Sequence, residues 1–132
     1  MALLKGAKGF PRIPTLEGKA ALGTLAPMIY PSTYLGCTID TVWYLQLLPM
    51  GPERTKLIHG AMFPRAVAER DDFEEVAANY YERWDLTTDE DIIACERQQK
   101  GLASPMARPG RFCHREPLVH AIDNWILDRV LD

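Results

Sequence analysis

The sequence is poor in the groups that usually announce a metal or redox centre. Its 132 residues hold three cysteines and three histidines. Cys37, Cys95 and Cys113 are widely spaced, and no two of them form the C-x-x-C arrangement of a zinc site. Their number is odd, so a complete disulfide framework is excluded; reduced thiols in a cytoplasmic protein are expected. Basic charge is not in excess either. A net charge of −3 gives no electrostatic reason to expect nucleic acid or an anionic membrane as partner. No apolar run approaches the roughly 18 residues needed to span a bilayer. The opening Met1-Ala2-Leu3-Leu4-Lys5-Gly6 breaks its apolar run too early for a signal peptide. Internal repeats and low-complexity tracts are lacking as well.

What is present is ordinary globular material. Apolar residues make up 47% and charged residues 25%, enough to build a core and to argue against disorder. The length fits a single domain over residues 1–132. Residues 1–21 carry Gly6, Gly9, Pro11, Pro14 and Gly18, and read as an extended arm. Residues 22–63 read as sheet. Val42, Tyr44, Gln46 and Leu48 alternate with Trp43, Leu45 and Leu47, and both sets are largely apolar. The turn Pro49–Arg54 returns the chain into a second strand, Thr55–Phe63. Prolines and Gly36 mark Met28–Tyr30 and Thr33–Thr38 as short edge or bulged strands.

From residue 66 to 131 the period is helical. Phe73, Val76, Ala77, Tyr80, Tyr81 and Trp84 form one apolar stripe, which predicts a helix over Asp71–Trp84. Thr87 with Glu90 three residues on has the form of a capping box. It predicts a second helix over Thr88–Lys100, stopping at Gly101. Residues 101–114 read as loop, and a third helix is expected over Arg115–Leu131, with Pro117 in its first turn. Strands followed by helices make an α+β fold, an antiparallel sheet with C-terminal helices on one side.

The segment Asp89-Glu90-Asp91-Ile92-Ile93-Ala94-Cys95-Glu96-Arg97-Gln98-Gln99-Lys100-Gly101-Leu102 resembles the C-terminal metal-ligand helix of Rieske non-heme iron (aromatic ring-hydroxylating) oxygenase large subunits. Ser104-Pro105 and Pro109-Gly110-Arg111-Phe112 match the loop that follows in that family. His114-Arg115-Glu116 through Trp125 and Leu127-Asp128-Arg129 resemble its closing helix. Tyr30-Pro31-Ser32 and the stretch Leu47–Thr55 match its sheet hairpin, and Phe10-Pro11-Arg12-Ile13-Pro14 a preceding linker. The pieces run in the family's order along nearly the whole chain.

The resemblance implies a partial helix-grip domain, the C-terminal part of the catalytic domain. It implies dioxygen-dependent hydroxylation or oxidative demethylation of a small aromatic or betaine-like substrate at a mononuclear Fe(II) held by two His and a carboxylate. Asp91 takes the carboxylate position, with Glu96 and Gln98 as candidate supports. Tyr30, Tyr34, Trp43 and Tyr44 are candidate pocket-lining residues; an aromatic cage suits a quaternary ammonium, whereas plain sheet core is the ordinary alternative.

The departures are equally plain. The chain has no C-x-H…C-x-x-H pattern for a [2Fe–2S] cluster. His59, His114 and His120 match no ligand position of the family. Cluster and imidazoles are therefore expected from a missing N-terminal half or a separate subunit, with a reductase as electron source. The isolated chain is expected to be inactive and to form homo-oligomers. The competing reading is a metal-free module for small-ligand binding or assembly. Cys113 beside His114 has the residue types of a thiol nucleophile and its base, but neighbours in sequence rarely face one another and no orienting third group is evident.

Overall fold

The computed structural model describes residues 3–131. Four strands form one antiparallel sheet in the order β1-β2-β3-β4: Met28–Ile29, Thr33–Cys37, Val42–Pro49 and Thr55–Met62. Three helices follow: a short α1 (Arg65–Ala68), a long α2 (Phe73–Leu102) and α3 (Pro117–Val130). The expected α+β order holds. Contacts divide the chain into two compact units, one ending at Trp84 and the other beginning at Asp85.

The hairpin lies where the turn chemistry places it. Val42 pairs with Met62 and Pro49 with Thr55, closed by a hydrogen bond of 2.8 Å from Met50 N to Arg54 O. Gly51 supplies the positive φ of 132° that this reversal requires. Register sorts the side chains. Trp43 opposes Gly36 on β2 and Ala61 on β4, so these three share one face. A Cβ on Gly36 would fall inside the Trp43 ring, and one on Gly60 would meet the Tyr44 ring. Each bulky ring thus lies over a glycine opposite it, one on each face of the sheet.

The core of the first unit forms where the Trp43 face meets the first turns of α2. Phe10, Val67, Val76, Ala77, Tyr80 and Trp84 are buried, with Leu3, Trp43, Ala61, Phe63 and Phe73 packed against them. Phe10 stacks on Tyr80 at 5.4 Å between centroids and meets Phe63 edge-on at 5.3 Å. The N-terminal segment is therefore not a detached arm. It carries a core residue and is pinned by Lys8 to Asp72, just ahead of α2, at 2.8 Å and by Asn79 Nδ2 on α2 to Lys8 O at 3.0 Å. It also contains a short 3-10 turn, Gly18–Ala21.

The main departure from expectation is α2. Two helices meeting at Thr87 are replaced by one helix of 30 residues. A capping box acts only where the backbone leaves helical geometry. Between Trp84 and Asp89 stand Asp85, Leu86, Thr87 and Thr88, with no Gly or Pro to break the preceding helix. Backbone N–H groups there are already used by the helix, so the Thr87–Glu90 signature has nothing to cap. The helix does stop at Gly101-Leu102, and Pro117 sits in the first turn of α3, both as expected.

Candidate functional site

In the first unit, polar chemistry gathers where β2 turns into β3. Thr38 N donates to Thr41 O at 2.9 Å, and Thr38 Oγ1 donates to Asp40 Oδ1 at 2.7 Å. Tyr80, rising from α2, donates its hydroxyl proton to Asp40 Oδ2 at 2.6 Å and accepts Phe10 N–H at 2.8 Å. Burial, with the Asp40 carboxylate it donates to, pushes the Tyr80 phenol well above its ordinary range. One hydroxyl so ties the N-terminal segment, the β2–β3 turn and α2. Sequence reading missed this knot. Its only signal was a Thr-Ile-Asp-Thr turn and a lone Phe amid Gly and Pro.

Among the candidate pocket residues, Tyr34 and Trp43 share the face packed toward α2, since Tyr34 opposes Leu45 two residues from Trp43. Tyr44 lies on the other face, and Tyr30 stands in the turn between β1 and β2. The structure therefore does not gather the four aromatics around one cavity. Trp43 is committed to the core. Its buried Nε1 has no hydrogen-bond partner among the described residues, an orphan donor of the kind that costs about 1–3 kcal/mol.

In the second unit, Asp91, Glu96 and Gln98 are all exposed on α2. Asp91, Ala94, Cys95 and Gln98 share one helix face at i, i+3, i+4 and i+7, while Glu96 lies off it. No hydrogen bond or ion pair among the described residues engages the Asp91 carboxylate. Ile92 and Ile93 beside it are 39% and 49% exposed. No residue from Asp85 to Leu131 is fully buried.

Ahead of α3, Glu116 folds its carboxylate back onto Cys113 N–H at 2.6 Å, while Cys113 Sγ accepts Arg115 N–H at 3.4 Å. The Cys113 N–H, and after it the Cys113 side chain, holds the Glu116 carboxyl below its ordinary range. The turn borders an open groove of about 480 Å³ with Phe112, His114 and His120. His120 packs on Phe112 at 5.8 Å and shares a 3.2 Å hydrogen bond with Asn124. The Cys113 thiol is thus a turn-closing group, not one half of a thiol–imidazole pair.

A model of the ring-hydroxylating alpha subunit, catalytic domain, matches residues 3–132. The chain belongs to that family. The motif set around Asp91 thus points to the same Rieske oxygenase catalytic region as the family match. Chloroplastic choline monooxygenase of Atriplex hortensis is 29% identical over 85 residues, 62% of this chain. Those residues amount to 18% of that relative, so the chain spans under a fifth of its length. No solved structure matches.

The family implies non-heme iron and a Rieske cluster. The residues present do not fit a complete iron site. Among the described residues, no three His, Cys, Asp or Glu side chains are grouped to share an ion. Among the described residues the Asp91 carboxylate is unengaged, as are those of Asp89, Glu90 and Glu96 near it on α2. Among the described residues, no helix is long and apolar enough to cross a membrane.

Proposed function

We propose that this chain is the C-terminal part of the catalytic domain of a Rieske-type oxygenase and supplies the carboxylate ligand, Asp91, of its mononuclear iron. The observation that carries the reading is the family match along residues 3–132, which includes the Asp91 motif. The exposed, unpartnered state of that carboxylate supports it, because a metal ligand must be free to accept a cation. Gln98, on the Asp91 face of α2, would support or orient the ligand, whereas Glu96 stands off that face. The β-sheet, closed by helices in the helix-grip manner, would form one wall of the substrate pocket.

The assembled enzyme would use dioxygen to hydroxylate or oxidatively demethylate a small organic compound. Similarity to choline monooxygenase favours a betaine-like substrate with a quaternary ammonium group. Electrons would come from a [2Fe–2S] cluster on another segment or subunit, fed by a reductase in the cytoplasm. The chain by itself would be inactive. The ligand-binding-module reading has no comparable support.

The test is dioxygen uptake. The chain is expressed together with the polypeptide of the same source that carries a Cys/His cluster motif and a histidine pair. A reductase and NADH are added, with choline, glycine betaine or simple arenes offered in turn. Uptake that depends on substrate and vanishes in Asp91→Ala is expected. Substrate-dependent uptake unchanged in that variant would remove Asp91 from the mechanism.

A further inference from the structure

We infer that β4 is a self-complementary edge, through which two copies of this chain join their sheets. The inference stands apart from the Asp91 reading. β4 closes the strand order, with β3 as its neighbour. Its pairing with β3 runs from Thr55 to Met62 without a bulge. Edge strands are usually blunted by shortness, proline, bulges or charge. The opposite edge, β1, is two residues long. β4 has eight residues, no proline, and Lys56 as its one Lys, Arg, Asp or Glu.

The hydrogen-bond phase shows which groups face outward. Leu47 N–H donates to Ser32 O at 3.0 Å, on the β2 side of β3. Bonding direction alternates along a strand, so Val42, Tyr44, Gln46 and Leu48 turn to β4. Their partners there are Met62, Gly60, Ile58 and Lys56. The main-chain groups of Thr55, Leu57, His59 and Ala61 therefore point away from β3. A second β4, related by a two-fold axis at Ile58, meets this edge in register. Thr55 then stands opposite Ala61, and the pair exchanges N–H and C=O bonds at each end of the interface. Ile58 stands opposite its own copy. It is half-buried and shares the Tyr44 face, so the pair adds apolar contact there. Lys56 stands opposite Gly60, which leaves the two Lys56 positions about 14 Å apart along the strands, beyond a Debye length. Moving the axis to His59 would lose the Ile58 pair and set imidazole against imidazole. The charge pattern thus favours a second copy over an acidic or basic partner strand.

Light scattering of the full chain at micromolar concentration tests this, together with cross-linking. Residues opposite one another at a non-hydrogen-bonded position lie within disulfide reach. Ile58→Cys, in a background carrying Cys37→Ser, Cys95→Ser and Cys113→Ser, should therefore give a disulfide-linked dimer under oxidised glutathione. The wild type should have twice the monomer mass. Ile58→Lys sets two like charges on the axis and should halve that mass, with an unchanged circular dichroism signal. Should that variant fail to fold, the cross-link decides alone. A monomeric wild type would overturn the inference. So would a dimer that Ile58→Cys does not link, since the copies would then meet elsewhere, and so would a chain that is monomeric until another polypeptide protects its Ile58→Cys thiol.

Discussion

Tyr80 joins three parts of the first unit through one oxygen. Removing it strands two partners, the Asp40 carboxylate and the Phe10 N–H, so Tyr80→Phe is expected to cost about 1–3 kcal/mol. Urea unfolding measures this as a lower midpoint with an unchanged slope. The phenol's raised pKa also sets a pH dependence. A group whose folded pKa exceeds its unfolded value stabilises fully below the unfolded value, about 10 for tyrosine, and loses that contribution as pH rises beyond it. Alkaline destabilisation above about pH 10 should therefore be shallower in Tyr80→Phe. Asp72 works in the opposite sense. Hydrogen bonds from Arg70 and Lys8 hold its carboxyl well below the ordinary range. Its contribution is present above the unfolded value of about 4 and is lost as pH falls below it. Asp72→Asn should therefore lower stability modestly at neutral pH, where solvent screens the pair, and flatten the acid limb below about pH 4, so that variant and wild type converge in acid. Neither Tyr80–Asp40 nor Lys8–Asp72 was legible in sequence, because both join residues far apart along the chain. Phe10 escaped notice for a related reason: glycine and proline predict the absence of regular structure, not the absence of burial.

At the scale of elements, the hairpin of β3 and β4 was legible because alternation and a Pro/Gly turn report the same thing twice. The single α2 was not. A start signal was present at Thr87, but no stop signal preceded it, and the absence of a breaker proved the stronger fact. This makes a sharp prediction at Leu86, which is 46% exposed and so carries little packing of its own. Two helices with a joint at residues 85–87 would tolerate Leu86→Pro. One continuous helix should not: about 3 kcal/mol of helix stability is expected to be lost. The readout is the helical circular dichroism signal, which should fall in the variant and remain unchanged only if a joint exists. The face shared by Asp91, Ala94, Cys95 and Gln98 depends on this continuity of helical period.

For the whole molecule, what stands out is how unevenly burial is distributed. The first unit owns a core of aromatic rings, while no residue from Asp85 onward is fully buried. Leu118, Val119, Ile126 and Val130 along α3 remain 41% to 75% exposed. The family match supplies the context, the catalytic domain of a ring-hydroxylating alpha subunit. Asp91 illustrates the limit of reading residues alone: the sequence places it early in a helix, where an acid has an ordinary electrostatic explanation, whereas in the structure it lies well inside the continuous α2, and its role as ligand rests on the proposal drawn from the motif. The most direct test is therefore the iron content of this chain purified with the polypeptide that carries the Rieske cluster motif and the histidine pair. The account predicts about one mononuclear iron per chain in the wild type, lost in Asp91→Ala while the [2Fe–2S] absorbance and the assembly persist. A variant that keeps its mononuclear iron would contradict it.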